Sequence, residues 1–263
     1  MKLTLVSLFC LTILTFQQVK AQEETKEMTM KTNDSKYPEA LQKIFKAHGG
    51  LSAWKSKRTL SFDIPKPDKT EKHTIDLYSR DEKITMPGIT MGSDGSEIWL
   101  DDAKGAYKGS AVFYHNLMFY FYAMPFVLAD DGINYSETEA LKFEGTSYPG
   151  IRISYDDGVG VSSKDEYFIH YNPETFQMEW LGYTVTFRSG EKSDNVKWIR
   201  YNDWMNVEGV TLPKSITWYA YEGRTIKEAK RPVAFENVTL SEAAQSEGFY
   251  AMPEGGKVVN AKK

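Results

Sequence analysis

Alternation of apolar and polar residues dominates the chain from residue 59 onward. In residues 59–64 the apolar Leu60, Phe62 and Ile64 fall on one side, which is the period of a half-buried strand. Similar runs recur at short spacing, separated by turns such as Asn172-Pro173. About eleven strands are predicted, with no strand–helix–strand rhythm, so the sheet is expected to be antiparallel and the fold mainly β. That many strands strain a flat sheet, so we expect it to curl into a barrel or half-barrel.

An N-terminal helix is predicted ahead of the strands. Residues 38–50 begin with Pro38, a residue favoured in the first turn of a helix, and end with Gly49-Gly50. Leu41, Ile44 and Phe45 share one face of this helix. The helix is therefore expected to pack against the sheet.

The central run Val112–Ala129 breaks the alternation, because almost all of its residues are apolar or aromatic. It is short for a bilayer span, which takes roughly 20 residues, and His115 and Asn116 would be costly in hydrocarbon. We expect a buried or lid-like helix, with the Ser110 hydroxyl capping its first N–H groups. Two alternatives stay open for this helix: it only fills the core, or it faces a ligand.

The first residues predict an exported protein. Lys2, the apolar residues 3–16 and a cleavage site ending at Ala21 are typical of a signal peptide over 1–21. Residues 22–36 are polar and predict a flexible tail, and 37–263 are expected to form a single domain. The mature chain is therefore expected in the periplasm or outside the cell.

Composition narrows the function classes. The only cysteine, Cys10, lies in the predicted signal peptide, so the mature chain is expected to contain no disulfide and no thiolate nucleophile. Loss of Lys2 and Lys20 changes the formal net charge from −4 to −6. An acidic chain argues against nucleic acid or an anionic membrane as a standing partner, because both require basic patches.

Short motifs follow one another in a characteristic order over the second half of the chain. They are IHYNPET (169–175), MEWL (178–181), VEGVTLPK (207–214), FENVTL (235–240) and FYAMPEGG (249–256). In this order of motifs the chain resembles the bacterial lipoprotein-carrier (LolA-like) superfamily, including its outer-membrane lipoprotein-sorting relatives. Two earlier segments, 47–50 with Trp54 and 114–125, are similar to an exported branch of that superfamily.

The resemblance implies a half-open antiparallel barrel around an apolar cavity, with helices acting as a lid or plug. It implies a monomeric carrier or receptor of a lipid or a lipoprotein acyl chain, with an envelope membrane partner, and not an enzyme. The expected cavity residues are aromatic or long apolar side chains of the central run and of the strands: Phe113, Leu117, Met118, Phe121, Tyr122, Met124, Phe126, Trp99, Trp180, Trp198 and Trp218. Each of these side chains could instead simply fill the core, and a structural envelope protein without a cavity is the corresponding alternative.

Histidines are the remaining candidates for a role in ligand binding, catalysis or metal coordination. His115 lies in the apolar central run and needs a hydrogen-bond partner there. It is therefore a candidate polar contact for the ligand or, with a nearby aspartate, the base of a hydrolase. A carboxylate beside His115 at a pocket mouth would favour the hydrolase. His48 is expected as a cap or satisfied core residue, and His73 and His170 as strand surface residues. No two histidines have metal-ligand spacing, so neither a metal nor a cofactor is expected.

Overall fold

The computed structural model describes residues 36–158 and 162–259. The chain divides into two compact units, with the boundary between Gln42 and Lys43. The predicted signal peptide 1–21 and all but the last residue of the predicted tail 22–36 lie outside the described residues. The single domain over 37–263 stays a prediction.

The described part of the first unit contains the start of the predicted N-terminal helix. Gln42 N donates to Pro38 O at 3.1 Å, and Gln42 Nε2 donates to Tyr37 O at 2.8 Å. The helix, α1, runs over Glu39–Ala47, which confirms the predicted element and its start near Pro38.

The other helices are short. They are α2 (Leu51–Lys55), α3 (Ala111–Tyr114), α4 (Leu117–Tyr122) and a 3₁₀ turn, Phe126–Ala129. Over the residues that the structure describes, none of the helices is both long and apolar enough to cross a bilayer.

Strands are the main regular elements of the second unit. In chain order they are β1 (Thr59–Pro65), β2 (Thr70–Asp76), β3 (Glu82–Met86), β4 (Ile89–Ser93), β5 (Ile98–Asp101), β6 (Ile133–Phe143), β7 (Thr146–Tyr155), β8 (Tyr167–Tyr171), β9 (Met178–Tyr183), β10 (Lys197–Val207), β11 (Val210–Glu222), β12 (Thr225–Ala229), β13 (Val233–Ala234), β14 (Glu236–Ser241) and β15 (Lys257–Val258). All of their pairings are antiparallel.

Two sheets result from these pairings. The first has the order β14-β1-β2-β3-β4-β5-β15. The second has the order β12-β11-β10-β9-β8-β7-β6, with β13 paired to β11, and it curves into a half-barrel. The predicted mainly β, curved antiparallel fold with few helices is confirmed.

The predicted strand count of about eleven in one sheet is wrong. The sequence interpretation missed β4, because Gly92 and the Ser93-Asp94-Gly95 turn weaken its alternation. It also missed the two-residue β15 and joined β13 to β14. Two of these strands, β13 and β15, have only two residues each, which is too few to show a period.

The central segment, residues 111–129, is not one continuous helix as predicted. Asn116 has φ 56°, in the left-handed region, and separates α3 from α4. Its N–H donates to the side chain of Glu82 at 2.6 Å, so it does not continue the helical ladder. The predicted Ser110 cap is confirmed, because Phe113 N donates to Ser110 Oγ at 3.3 Å.

The second half of the central segment packs between the two sheets. Tyr122 lies 4.5 Å, ring centre to ring centre, from Phe62 of β1. Phe121, next to it, contacts Tyr183 of β9 and Trp218 of β11 at 5.0 and 5.6 Å. This part of the segment is the plug of the core, and aromatic contacts hold it from both sides.

Glycines in the strands make room for the largest buried side chains. Gly92 is paired directly with Trp99, and Gly182 with Trp198, in neighbouring strands. A Cβ on Gly182 would lie 2.8 Å from the Trp198 ring, and one on Gly92 2.7 Å from the Trp99 ring. Each indole therefore lies flat over a strand where a side chain is missing, and both tryptophans are fully buried.

We expect Gly182→Ala to lower the free energy of unfolding by about 1–3 kcal/mol, because the added methyl group overpacks the Trp198 ring. In a Trp198→Leu background the same substitution should cost less, since the indole is gone. Urea unfolding of the two single variants and the double variant measures this coupling. An equal cost of Gly182→Ala in both backgrounds would contradict the packing described here.

Candidate functional site

A pocket of about 220 Å³ opens beside the first half of the central segment. The apolar part of its wall comes mainly from α3 and α4, with one residue from the loop after β9. These lining residues are Val112, Phe113, Leu117 and Phe187. The Phe113 and Phe187 rings are in contact, 5.3 Å apart, so the apolar wall joins the segment to the second sheet's loop.

Polar residues line the rest of the pocket. They come from the turn between β2 and β3, from the central segment, and from the stretch that runs from the last residue of β7 to the first residue of β8: Arg80, His115, Asn116, Tyr120, Tyr155, Ser162, Asp165 and Tyr167. The site is thus amphiphilic, with an apolar wall and several side chains able to form hydrogen bonds.

Arg80 is held in place from several directions. Its Nη2 donates to both carboxylate oxygens of Asp130, at 2.7 and 3.0 Å. Its guanidinium lies 4.9 Å from the centre of the Phe119 ring. Its backbone has φ 67°, an unfavourable conformation for a residue with a Cβ. These contacts orient the guanidinium at the edge of the pocket.

Two buried carboxylates and one imidazole lie behind the pocket wall. His73 of β2 has Nδ1 3.4 Å from Glu82 Oε1 and Nε2 3.9 Å from Glu71 Oε2, and its ring stacks on Phe62 at 4.8 Å. All three ionisable side chains are almost inaccessible to water. We refer to Glu71, His73 and Glu82 as the carboxylate cluster.

The carboxylate cluster binds the point where the central segment bends. Tyr114 Oη donates to Glu71 Oε2, and Asn116 N donates to Glu82 Oε2, both at 2.6 Å. Lys66 Nζ also donates to Glu71, at 2.5 Å. Residues Tyr114–Asn116, which we call the hinge, are therefore fastened to β2 and β3 by charge-assisted hydrogen bonds.

The electrostatics of the carboxylate cluster favour its charged form. Burial would raise the pKa of the Glu82 carboxyl, but hydrogen bonds from His115, His73 and the Asn116 amide outweigh it and lower that pKa. Burial would lower the pKa of His73, but the carboxylates of Glu71 and Glu82 outweigh it and raise that pKa. His73, together with Lys66 on Glu71, thus compensates the charge of the two buried carboxylates.

His115 lies between the carboxylate cluster and the pocket. Its Nδ1 is 3.3 Å from Glu82 Oε2, and its Nε2 is 2.9 Å from Asn116 Nδ2. The Asn116 amide also donates to Arg80 O, at 3.1 Å, so Nδ2 is a donor and His115 Nε2 must accept. The ring proton of a neutral His115 is therefore on Nδ1, facing Glu82.

Three of the predicted ligand contacts line the pocket: Phe113, Leu117 and His115. The others are placed in ring or side-chain contacts of the core, and all but Trp218 are buried. They are Met118, Phe121, Tyr122, Met124, Phe126, Trp99, Trp180, Trp198 and Trp218. A ligand-binding role for these nine residues stays a prediction.

The indole N–H groups of three of these tryptophans have protein partners. Trp99 Nε1 donates to Tyr250 O at 3.1 Å, Trp198 Nε1 to Gly223 O at 3.3 Å, and Trp218 Nε1 to Tyr183 Oη at 2.9 Å. Trp180 differs, because within the described residues its Nε1 has no hydrogen-bond partner. Its ring contacts Phe143 and Tyr219, and the Arg200 guanidinium lies 4.7 Å from it. Hydrogen bonds thus accompany the burial of the first three indoles, and ring and cation contacts that of Trp180.

Two expectations for histidines are wrong, and one is confirmed. His73 and His170 were expected at strand surfaces, yet both are buried. His48 is a satisfied core residue: Nδ1 lies 3.2 Å from Thr211 O, and Nε2 accepts from Met178 N at 3.1 Å. Burial lowers the pKa of His48 to about 4, which keeps it neutral.

Sequence reasoning missed the carboxylate cluster, although one signal was present. Glu71, His73 and Ile75 alternate along β2, so the two polar side chains point to the same side as a core isoleucine. An acid and a histidine on the inner face of a strand predict a buried pair. The described residues contain no group of three or more acids, histidines or cysteines able to hold a metal ion.

In comparisons with known proteins, part of the chain matches one family model, and several solved structures have a similar fold. Residues 96–226 match the model of a family of unknown function, DUF6503. No curated protein matches the chain significantly.

Solved structures with a similar fold share little sequence with this chain. A LolA superfamily protein from Nitrosomonas europaea is 10% identical, with 80% of this chain and 96% of that chain covered and a TM-score of 0.48. A DUF1329 family protein from Desulfovibrio piger is 11% identical, with 79% and 97% covered and a TM-score of 0.45. A domain from Vibrio parahaemolyticus named for outer-membrane lipoprotein sorting is 7% identical, with 78% and 97% covered and a TM-score of 0.42.

We expect His73 to keep its proton above pH 6.5, because two carboxylates raise its pKa in the folded state. Its contribution to the free energy of unfolding is then complete below pH 6.5 and is lost as the pH rises through the folded-state pKa. In Glu82→Gln the pKa of His73 should fall, since burial then acts against only one carboxylate. An NMR titration of the imidazole signals measures both values.

His48 is the internal control of that titration. Its pKa, lowered to about 4 by burial, should not change in Glu82→Gln, because its partners are Thr211 and Met178. A His73 that titrates at or below pH 6.5 in the unmodified protein would show that the carboxylate cluster does not hold a buried cation.

Proposed function

We propose that the protein is an exported carrier that binds an apolar chain, such as the end of a lipid acyl chain, in the pocket beside the hinge. The observation that carries this proposal is the wall of Val112, Phe113, Leu117 and Phe187, which lines an open space instead of packing into the core. Apolar side chains around an accessible pocket are what a hydrocarbon ligand requires.

The pocket's size limits the ligand. Its volume of about 220 Å³ is below the roughly 300–1,000 Å³ of pockets that enclose drug-sized ligands. The pocket therefore suits a chain of medium length, or one end of a longer chain. A cavity that also includes Phe121 and Tyr122, as expected from the sequence, would need these buried residues to leave their contacts with the sheets.

The expected affinity follows from the hydrophobic effect. Burial of one methylene group contributes about 0.8 kcal/mol. A buried stretch of about eight methylenes gives on the order of 6 kcal/mol before ordering costs, which corresponds to a Kd between millimolar and micromolar. A carrier must also release its ligand, and this range permits release.

We expect saturable binding of a dansyl-labelled undecanoic acid, measured by the increase in dansyl fluorescence. Leu117→Trp should weaken binding at least tenfold, because the indole fills the apolar side of the pocket. Val258→Trp is the matched control: it also replaces an aliphatic residue by tryptophan, but at an exposed position, and should leave binding unchanged. No saturable binding, or equal binding by both variants, would reject the proposal.

The Glu82–His115 pair supports a second candidate function, ester hydrolysis. Glu82, not the aspartate expected, is the carboxylate beside His115; His115 lines the pocket, whereas Glu82 is buried and does not. In such a reaction His115 Nε2 would take a proton from water, the water oxygen would bond to the ester carbonyl carbon, and the proton would pass to the departing alkoxide. The Asn116 amide now occupies the lone pair on Nε2, so binding is the better-supported function.

Hydrolysis of p-nitrophenyl butyrate tests this candidate. A catalytic His115 predicts a turnover that falls at least about 100-fold in His115→Gln, which is the lower end of general-base contributions. Turnover that is absent, or that is equal in the two proteins, would leave only the binding function.

A further inference from the structure

We infer that the pocket selects a ligand with an anionic head, a carboxylate attached to the apolar chain, and that Arg80 binds this head. This inference rests on the proposed function, since it assigns the chemistry of the ligand's polar end in the same pocket. It starts from the hydrogen-bonding capacity that the polar part of the pocket leaves unused.

Arg80 is the residue with unused capacity. Both oxygens of Asp130 bind Nη2, and within residues 36–158 and 162–259 the buried Nη1 of Arg80 has no hydrogen-bond partner. The guanidinium lines the pocket, and 27% of the Arg80 side chain remains exposed. A guanidinium N–H without a partner is a strong donor to a carboxylate.

The position of Arg80 is built into the fold. Its left-handed backbone conformation is unfavourable for arginine, and Asp130 and the Phe119 ring fix its head group. Unfavourable conformations persist where the surrounding structure imposes them, and they concentrate at binding sites. The apolar wall and this head group line the same pocket, so one ligand can contact both.

A cationic head is the competing assignment, because Asp165 and three tyrosines also line the pocket. The Asp165 carboxylate is already engaged: Thr186 N donates to its Oδ1 at 2.6 Å. Burial raises the pKa of Asp165, so the group has less tendency to carry a negative charge. Arg80 thus offers a free donor, whereas Asp165 offers an acceptor that is in use.

Three ligands with the same ten-carbon chain and different heads test the assignment. They are decanoate, decanol and decyltrimethylammonium, each titrated into the full-length protein at pH 7.5 by calorimetry. We expect decanoate to bind at least tenfold more tightly than decanol, and decyltrimethylammonium most weakly. This comparison uses the unmodified protein, so it does not depend on the folding of any variant.

Substitution of Arg80 then locates the head. Arg80→Gln should abolish the preference for decanoate over decanol, measured as the ratio of the two affinities in that variant, while Arg80→Lys should keep part of the preference. Arg58→Gln is the matched control, because Arg58 also pairs with an aspartate, Asp76, and lies over an aromatic ring, Tyr78, but does not line the pocket.

The outcomes separate the two proposals. Equal affinity for decanoate and decanol, or the same decanoate preference in Arg80→Gln as in the unmodified protein, overturns the anionic head and leaves the carrier function. The tightest binding by decyltrimethylammonium overturns it in favour of a cationic head near Asp165. Binding of none of the three ligands overturns the proposed function itself.

Discussion

The hydrogen bonding of the hinge to two buried carboxylates is the interaction on which the rest of the site depends. Glu71 and Glu82 are taken out of water on neighbouring strands, and this is costly unless each charge is compensated. The compensation comes partly from the cations His73 and Lys66 and partly from groups of the hinge, Tyr114 and Asn116. Removal of one partner would leave an uncompensated buried charge, so the strands and the hinge hold each other in place.

This fastening divides the central segment into two parts with different surroundings. After the hinge, Phe121 and Tyr122 pack between the sheets, and Tyr201 Oη donates to Phe121 O at 2.8 Å. Around the hinge, Phe113 and Leu117 remain at the pocket. The central segment therefore supplies both the plug of the core and the apolar wall of the pocket. The wall residues lie around the hinge, and the plug residues follow it.

The elements that the sequence predicts are those with a local signal. Alternation predicted most strands, and the Ser110 cap and the Gly49-Gly50 end of α1 follow from residues next to them. The break at Asn116 could not be predicted, because its cause is Glu82, 34 residues earlier in the chain. For the same reason the polar part of the pocket was missed: Arg80, Asp165 and Phe187 come from three separate turns and loops, and only the fold brings them together. A run of aromatic residues predicts burial, but it does not tell which rings meet each other and which meet a ligand.

Hydrogen–deuterium exchange of residues 111–122 in Glu82→Gln, compared with the unmodified protein, tests most directly whether the carboxylate cluster holds the pocket wall. The account predicts faster exchange of these amides in the variant, because the Asn116 amide loses its charged acceptor, while the amides of β8 to β10 exchange as before. Unchanged exchange over 111–122 would show that the hinge keeps its place without the buried carboxylate, and would contradict the account.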